Sequence, residues 1–366
     1  MNVALIGPVY PYRGGIAHFT TALTRALQAR HNVTVYSYRR QYPTWLYPGE
    51  SDRDPSMQPE TVPARYLLDS LNPMSWFHTA GAVTAQKPDA VLLQWWTTFW
   101  GPADLVLGSI IQRAGFPLYY LVHNALPHER RRWDIPMTRL TLGTADGLLA
   151  LSRREAHRLQ AMFPHQRIAY CPHPVYTLFS EQRMSQAEAR AQLGLPTEGH
   201  VILFFGLVRP YKGLMTLLES LIHLRQAGIE VHVVVAGEFW DTVTPYQQFI
   251  QAHALTEHVT LHTGYIPNEA VAAYFCAADA FAAPYTTATQ SGALKTALGF
   301  GLPVAASTAV AESADAPNGY PLFTAPPESP EAFAQALRAA LQARPMAIQS
   351  QATWERLVQA IEEICT

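Results

Sequence analysis

Lysine is nearly missing from this chain. Its 26 basic residues include lysine only at Lys87, Lys212 and Lys295, so the position of each lysine is informative. Charge of either sign is sparse, at 15% of 366 residues with a formal net of -2, and this lacks the basic excess of a nucleic-acid binder. Cysteine is scarce too. Cys171, Cys276 and Cys365 are far apart and odd in number, so they suggest neither a metal-ligand pair nor a disulfide framework. A reducing cytoplasm is the expected compartment. No apolar run reaches the roughly 18–20 residues of a membrane-spanning helix. The expected protein is soluble, with peripheral contact at the inner membrane face left open. The start, Met1-Asn2-Val3-Ala4-Leu5-Ile6-Gly7, has no basic n-region or small-residue cleavage site and reads as a first β-strand. Internal repeats and low-complexity segments are also missing.

What is present is a repeated alternation. Short apolar runs at 3–6, 33–36, 90–93, 118–122 and 147–151 read as strands, with helical patterns at 17–30 and 103–114. Continuous apolar strands separated by helices indicate a parallel sheet covered on both faces. The pattern restarts near residue 200, with strands at 201–205, 231–236, 259–261, 280–283 and 303–306 and helices between them. A polar stretch without strands, about 172–199, separates the two series. The expected architecture is α/β, two Rossmann-like doubly wound domains facing across a cleft. The domains are placed at 1–175 and 176–345, followed by a C-terminal segment, 346–366. Residues 39–63, rich in Pro, Tyr and charge, read as a long surface loop. Ligands of such sheets bind beyond the carboxyl ends of the strands, so the residues just after each strand deserve the closest reading.

After the first strand comes Gly7-Pro8-Val9-Tyr10-Pro11-Tyr12-Arg13-Gly14-Gly15, leading into a helix. Adjacent glycines let a ligand approach the backbone, and the helix start offers N–H groups to an anion. The spacing is not G-x-G-x-x-G, which disfavours a dehydrogenase. A tight turn needed only for packing is the alternative. The second domain opens with Phe205-Gly206-Leu207-Val208-Arg209-Pro210-Tyr211-Lys212, two cations three apart at a strand-to-helix turn. They suit a diphosphate and the charge that builds on a departing phosphate. Further on, Thr289-Gln290-Ser291-Gly292 runs into another helix, where Ser291 and Gly292 suit a phosphate and a plain cap by Thr289 or Ser291 explains the composition almost as well.

Two motifs lie at strand ends of the first domain. His123 and His128, in Val122-His123-Asn124-Ala125-Leu126-Pro127-His128, can bond sugar hydroxyls. Their spacing is not H-E-x-x-H and no cysteine is near, so no metal site is expected. A structural role is the alternative for either histidine. Gln94-Trp95-Trp96-Thr97-Thr98-Phe99-Trp100 presents aromatic faces suited to sugar rings. Of Trp95, Trp96 and Trp100, some are expected in the core and at least one on the acceptor side. The cluster Arg130-Arg131-Arg132-Trp133 reads as either a solvated face or a contact for an anionic lipid or acceptor phosphate.

In order and spacing these motifs resemble the family-4-type retaining glycosyltransferases (glycosyltransferase group 1, GT-B fold) over nearly the whole chain. The resemblance implies that Gly14 and Gly15 lie beside the donor diphosphate and that His123 lies near the donor sugar. It also implies that Arg209 and Lys212 bind the diphosphate after Gly206, and that Ala236-Gly237-Glu238 is the family's glycine-acid turn. One departure stands out: the family's two glutamates, eight positions apart, fall at Ala288 and Thr296 here. In the family these acids hold the donor-sugar hydroxyls and the ribose. A subset of the family shares the Ala-Thr-Gln-Ser-Gly stretch found here at 288–292; in this chain Gln290 is the expected replacement for the first acid and Thr296, beyond the stretch, a partial one for the second. The fold of the family also implies that the C-terminal segment, 346–366, crosses back onto the first domain.

The implied activity is transfer of a hexose-type sugar, with retention, from a UDP- or GDP-linked donor to a glycan or lipid-linked acceptor. Surface polysaccharide or glycoconjugate synthesis is the expected setting. No cofactor, metal or nucleic acid is expected. The alternative is a non-catalytic relative that binds nucleotide-sugar or partners another transferase. A phosphorylase would need a pyridoxal lysine, for which Lys295 is the candidate.

Overall fold

The computed structural model describes residues 1–47, 49–127, 131–176, 178–288, 290–347 and 353–366. It divides into two compact units. The first comprises Met1–Pro55, Pro59–Pro174 and Ala352–Thr366, and the second Ser56–Gln58 and Val175–Gln351.

The first unit is built on seven parallel strands: β1 (Asn2–Ile6), β2 (Asn32–Arg40), β3 (Ala64–Asp69), β4 (Ala90–Trp95), β5 (Leu118–Val122), β6 (Gly147–Ala150) and β7 (Arg167–Tyr170). Their order is β3-β2-β1-β4-β5-β6-β7. Alternate residues of the central strands feed two cores. Ala4, Ile6, Val91, Leu93, Tyr120 and Val122 face one, packed with Leu107 and Ile111 of the helix Gly101–Arg113. Val3, Leu5, Leu92 and Leu121 face the other, packed with Phe19, Leu23 and Leu27 of the helix Gly15–Gln28. Helices on both faces explain why these strands read as unbroken apolar runs.

The C-terminal helix Trp354–Cys365 belongs to this second core. Leu357, Val358, Ile361 and Ile364 form one buried stripe against Val3, Leu5 and Phe19. Burial of each such side chain contributes about 1.5–3 kcal/mol. Thr353 caps the helix by accepting the Arg356 N–H, and Glu362 receives Arg30 at 3.0 Å and His31 at 2.8 Å.

The second unit has six parallel strands: β8 (His200–Phe205), β9 (Val231–Ala236), β10 (Val259–His262), β11 (Ala280–Ala283), β12 (Val304–Ser307) and β13 (Leu322–Ala325). Their order is β10-β9-β8-β11-β12-β13. The segment 172–199 contains no described strand. It does contain the helix Gln186–Leu193, opened by a Ser185–Glu188 capping box. From this helix the buried Arg190 reaches Asp279 Oδ2 at 2.7 Å, and the same oxygen accepts the Val201 N–H. Asp279 thereby ties the start of β8 to β11.

Each sheet reverses its winding once. In the first unit this happens between β1 and β4, and in the second between β8 and β11. Those switch points are where a doubly wound sheet opens a crevice at its carboxyl edge.

Candidate functional site

In the first unit the switch point is flanked by the glycine loop after β1 and the aromatic stretch after β4. Gly14 has φ +101° and precedes a helix with no side-chain cap, a backbone shape that favours glycine. A Cβ on Gly14 or Gly15 would meet nothing within 4 Å, so the loop borders open space. A Cβ on Gly7 would instead strike Gln94 Cγ at 2.6 Å. That close packing sets Gln94 at the end of β4, where its Oε1 lies 2.7 Å from His123 Nε2. His123 is buried, edge-on to Phe19 at 4.7 Å, and its backbone N–H donates to the Trp95 carbonyl. Burial, and then the nearby His173, push its pKa well below the usual 6.5. The imidazole is therefore neutral at neutral pH, a hydrogen-bonding group and not a cation.

The aromatic stretch is a mixture, with Trp95 and Trp100 in the core and not on an acceptor side. Trp95 and Trp100 are 1% and 2% exposed, members of the core under the helix Gly101–Arg113. Trp95 donates its Nε1–H to the Ala125 carbonyl. Neither ring is presented to a ligand, because β4 is buried on both faces and Trp100 turns inward onto Tyr38. Trp96 is half-buried and donates to Tyr42 Oη at 3.0 Å. His128 and Arg130 lie outside the described residues; Trp133 is exposed, with Arg131 5.4 Å over its ring.

The second unit brings three loops to its switch point. After β8, Gly206 adopts φ +99°, and a Cβ there would stand 3.2 Å from Lys212 Nζ. After β9, a Cβ on Gly237 would overlap the Gly206 carbonyl, so these two turns pack backbone to backbone. Pro210–Lys212 forms a single 3₁₀ turn, and Gly213 in the left-handed region starts the helix Leu214–Gln226. Lys212 thus folds back over Gly206, with Nζ 5.3 Å from the Tyr285 ring centroid. Arg209 lies over Tyr211 and Trp240 at 5.8 and 5.6 Å. Trp240 in turn donates its Nε1–H to the buried Glu238 at 2.8 Å. Burial, with Arg209 adding to it, lowers the Lys212 pKa from its ordinary 10.5 despite Tyr211.

After β11, Tyr285 Oη and Ser291 Oγ share a 3.0 Å hydrogen bond, and Ser291 Oγ accepts the Leu294 N–H. Ser291 is therefore the cap of the helix Gly292–Phe300, while Thr289 lies outside the described residues. Thr296 spends its hydroxyl proton on the Gly292 carbonyl at 3.0 Å, and Ala288 is buried. Gln290 is half-buried, with an Nε2 that has no partner among the described residues. The buried Lys295 donates to the Ala314 carbonyl at 2.8 Å and to Asp315 at 3.3 Å, a structural ion pair that a pyridoxal linkage would break. Among the described residues no three His, Cys, Asp or Glu are grouped as metal ligands. No described helix is long and apolar enough to cross a membrane.

Residues 14–174 match the glycosyl transferase 4-like domain, and residues 199–343 match glycosyl transferases group 1. The chain belongs to the group 1 glycosyltransferases. Solved structures share its fold throughout: two parallel-sheet domains of the GT-B type. Anabaena Alr3699/HepE, in complex with UDP-glucose, aligns over 100% of this chain and 98% of its own with TM-score 0.74 and 17% identity. Sucrose-phosphate synthase from Thermosynechococcus elongatus aligns over 100% and 96%, with TM-score 0.68 and 19% identity. By sequence, the uncharacterized glycosyltransferase YqgM of Bacillus subtilis (strain 168) is 23% identical over 269 residues. That match spans 71% of this chain and 65% of the relative.

Within this glycosyltransferase several neighbours of the predicted site residues were assigned no role from the sequence. Gln94, Tyr285, Tyr211 and Trp240 frame the histidine and the two cations. Gln94 did leave a signal, as a polar residue inside the apolar run Ala90–Trp95. Of the aromatic neighbours of the cations, Tyr211 lies between them in sequence, whereas Tyr285 and Trp240 come from separate loops and left no signal.

Proposed function

We propose that this glycosyltransferase moves a hexose-type sugar from a UDP- or GDP-linked donor to a glycan or lipid-linked acceptor, with retention and without a divalent metal. The observation that carries the proposal is the seating of Lys212 Nζ over Gly206, with Arg209 three residues away, at the switch point of the second sheet. Two cations there can neutralise a diphosphate, and Gln290 Nε2, which lacks a described acceptor, can donate to a donor-sugar hydroxyl.

The bond from C1 of the sugar to the diphosphate oxygen breaks, and its electron pair leaves with the nucleoside diphosphate. The acceptor oxygen forms the new bond to C1 on the same face, and its proton passes to the leaving phosphate. Arg209 and Lys212 stabilise the charge that appears on the diphosphate. His123, neutral, offers a hydrogen bond near the sugar. No cofactor takes part, and surface polysaccharide or glycoconjugate synthesis is the setting this chemistry suits.

The test is release of nucleoside diphosphate from UDP- and GDP-sugars with an acceptor panel, with and without EDTA, and NMR of the product anomer. Retained configuration and insensitivity to EDTA support the mechanism; inversion or an absolute requirement for metal overturns it. A second reading, a relative that binds donor without turnover, is favoured by Ala288 and by the commitment of Thr296 to the Gly292 carbonyl. Saturable donor binding with no product from any acceptor would establish that second reading.

A further inference from the structure

Beyond the carboxyl ends of β2 and β3 the first unit holds a cavity of about 580 Å³, within the roughly 300–1,000 Å³ range of small-molecule sites. Arg39, Arg40, Tyr42, Trp45, Asp52 and Arg53 line it. It opens at the sheet edge that carries the glycine loop, and most of its lining belongs to the stretch 39–63 that reads as a long surface loop.

The lining is unbalanced in charge. Three guanidiniums face one lining carboxylate, Asp52, which lies 3.5 Å from Arg53 Nε. Arg40 is answered from outside the lining by Asp69 at 3.1 Å. Arg39 is exposed, and among the described residues its guanidinium has no hydrogen-bond or ion-pair partner. Trp45 is 77% exposed and stacks on no other described ring. An exposed indole beside several arginines combines a flat apolar face for a sugar ring with forked donors for a carboxylate or phosphate.

The wall is held in place by the glycine loop. Arg13 N–H donates to the Asp52 carbonyl at 3.1 Å and Asp54 N–H to the Pro11 carbonyl at 2.9 Å. The Arg53 guanidinium lies 4.4 Å over the Tyr12 ring, and Tyr42 Oη accepts from Trp96. The cavity is therefore a pre-formed extension of the loop after β1, held on its far side by the residue after β4.

We infer that this cavity is an acceptor subsite for a sugar bearing an anionic group, a carboxylate or a phosphate ester, with the ring on Trp45 and the anion at Arg39 and Arg53. The inference rests on the transferase assignment above and adds the acceptor class to it. A glycan with a uronate at its growing end, or a sugar phosphate joined to a lipid, has this chemistry.

The test uses the full chain without donor and measures binding of glucuronate, glucose 1-phosphate, glucose and inorganic phosphate by ligand-observed NMR. At least one of glucuronate and glucose 1-phosphate should bind saturably, at least about tenfold tighter than glucose or phosphate alone, a difference of about 1.4 kcal/mol. Whichever binds identifies the anion's source. Arg39→Ala and Trp45→Ala should each weaken that binding severalfold, with thermal melts like wild type because both side chains are exposed. Equal binding of glucose and the anionic sugars, no binding of either anionic sugar, or indifference to both substitutions overturns the inference. So does Arg39-dependent binding of sugar-free phosphatidylglycerol vesicles without anionic-sugar binding, which would make the patch a lipid contact. Wild-type binding of UDP- and GDP-sugars is measured in parallel. Anionic sugars bound with no nucleotide-sugar bound would retain the cavity and remove the transferase assignment; the converse would remove only the cavity.

Discussion

Lys212 shows how much one side chain can carry in a chain with three lysines. On the proposed mechanism, removing it or Arg209 deletes a charge that faces the leaving diphosphate. Lys212→Ala and Arg209→Ala should each lower kcat by about 10²–10³-fold, the usual cost of losing one such group. The pH profile gives a sharper check. Burial favours the uncharged amine, so Lys212 loses its proton below the ordinary 10.5, and the alkaline fall of kcat/KM should begin there. Lys212→Arg, always protonated, should move that fall to higher pH. An unchanged alkaline limb in this variant would assign the titration to another group. A second titration concerns stability. Asp104 is buried, with Oδ1 lacking a partner among the described residues, and burial raises its pKa well above 3.8. The native state keeps a proton that the unfolded chain releases near pH 3.8, so stability falls as pH rises from there towards the folded pKa. Asp104→Asn, which mimics the protonated form, should raise Tm at neutral pH and flatten its pH dependence; a lower Tm at pH 7 would refute this. Lys212, Arg209 and Gly206 were legible because their types and spacing are rare. The fates of Trp95 and Trp100 were not, since an aromatic run at a strand end gives no clue to which ring turns inward.

At the scale of elements, the two units rest on turns whose shape only glycine accepts. Gly213 has φ +70°, and a Cβ there would overlap the Pro284 carbonyl. Gly213→Ala should cost about 1–3 kcal/mol by denaturant unfolding and should displace Lys212 as well. Glu155 plays a comparable part in the first unit. Fully buried, it accepts the Ala125 N–H at 2.6 Å and Arg158 Nη1 at 2.6 Å, fixing the loop two residues beyond His123. Glu155→Ala leaves that N–H without its acceptor and should destabilise by about 1–3 kcal/mol, with Glu155→Gln milder. Equal stability of the alanine variant and wild type would contradict this role. The central strands were legible because burial on both faces makes them continuously apolar. Three of the four edge strands, β3, β7 and β13, were not. Each is partly exposed, and β3 emerges directly from the proline-rich stretch that reads as loop. The helix Pro73–Ala85 was missed for a related reason: it buries only Thr79, Ala80 and Val83, too few for an apolar stripe.

At the scale of the whole molecule, the alternation of strands and helices, restarted once, made two doubly wound sheets readable from the sequence. Their internal switch points could not be read, because strand order depends on pairings across long separations. The C-terminal helix is the clearest case of a distant segment completing a core. Ile361→Asp would bury a charge among Leu5, Phe19 and Leu357, and should leave the protein poorly folded. The central claim is that the switch point of the second unit holds a nucleotide-sugar diphosphate. Saturation-transfer NMR of the full chain against UDP-, GDP-, ADP- and dTDP-sugars, repeated with Arg209→Ala and Lys212→Ala, addresses it most directly. The expected result is binding of one nucleotide class, strongest for UDP or GDP, and its loss in both variants with their melts preserved. Binding unaffected by either substitution, or no nucleotide-sugar bound by the folded wild type, would contradict it.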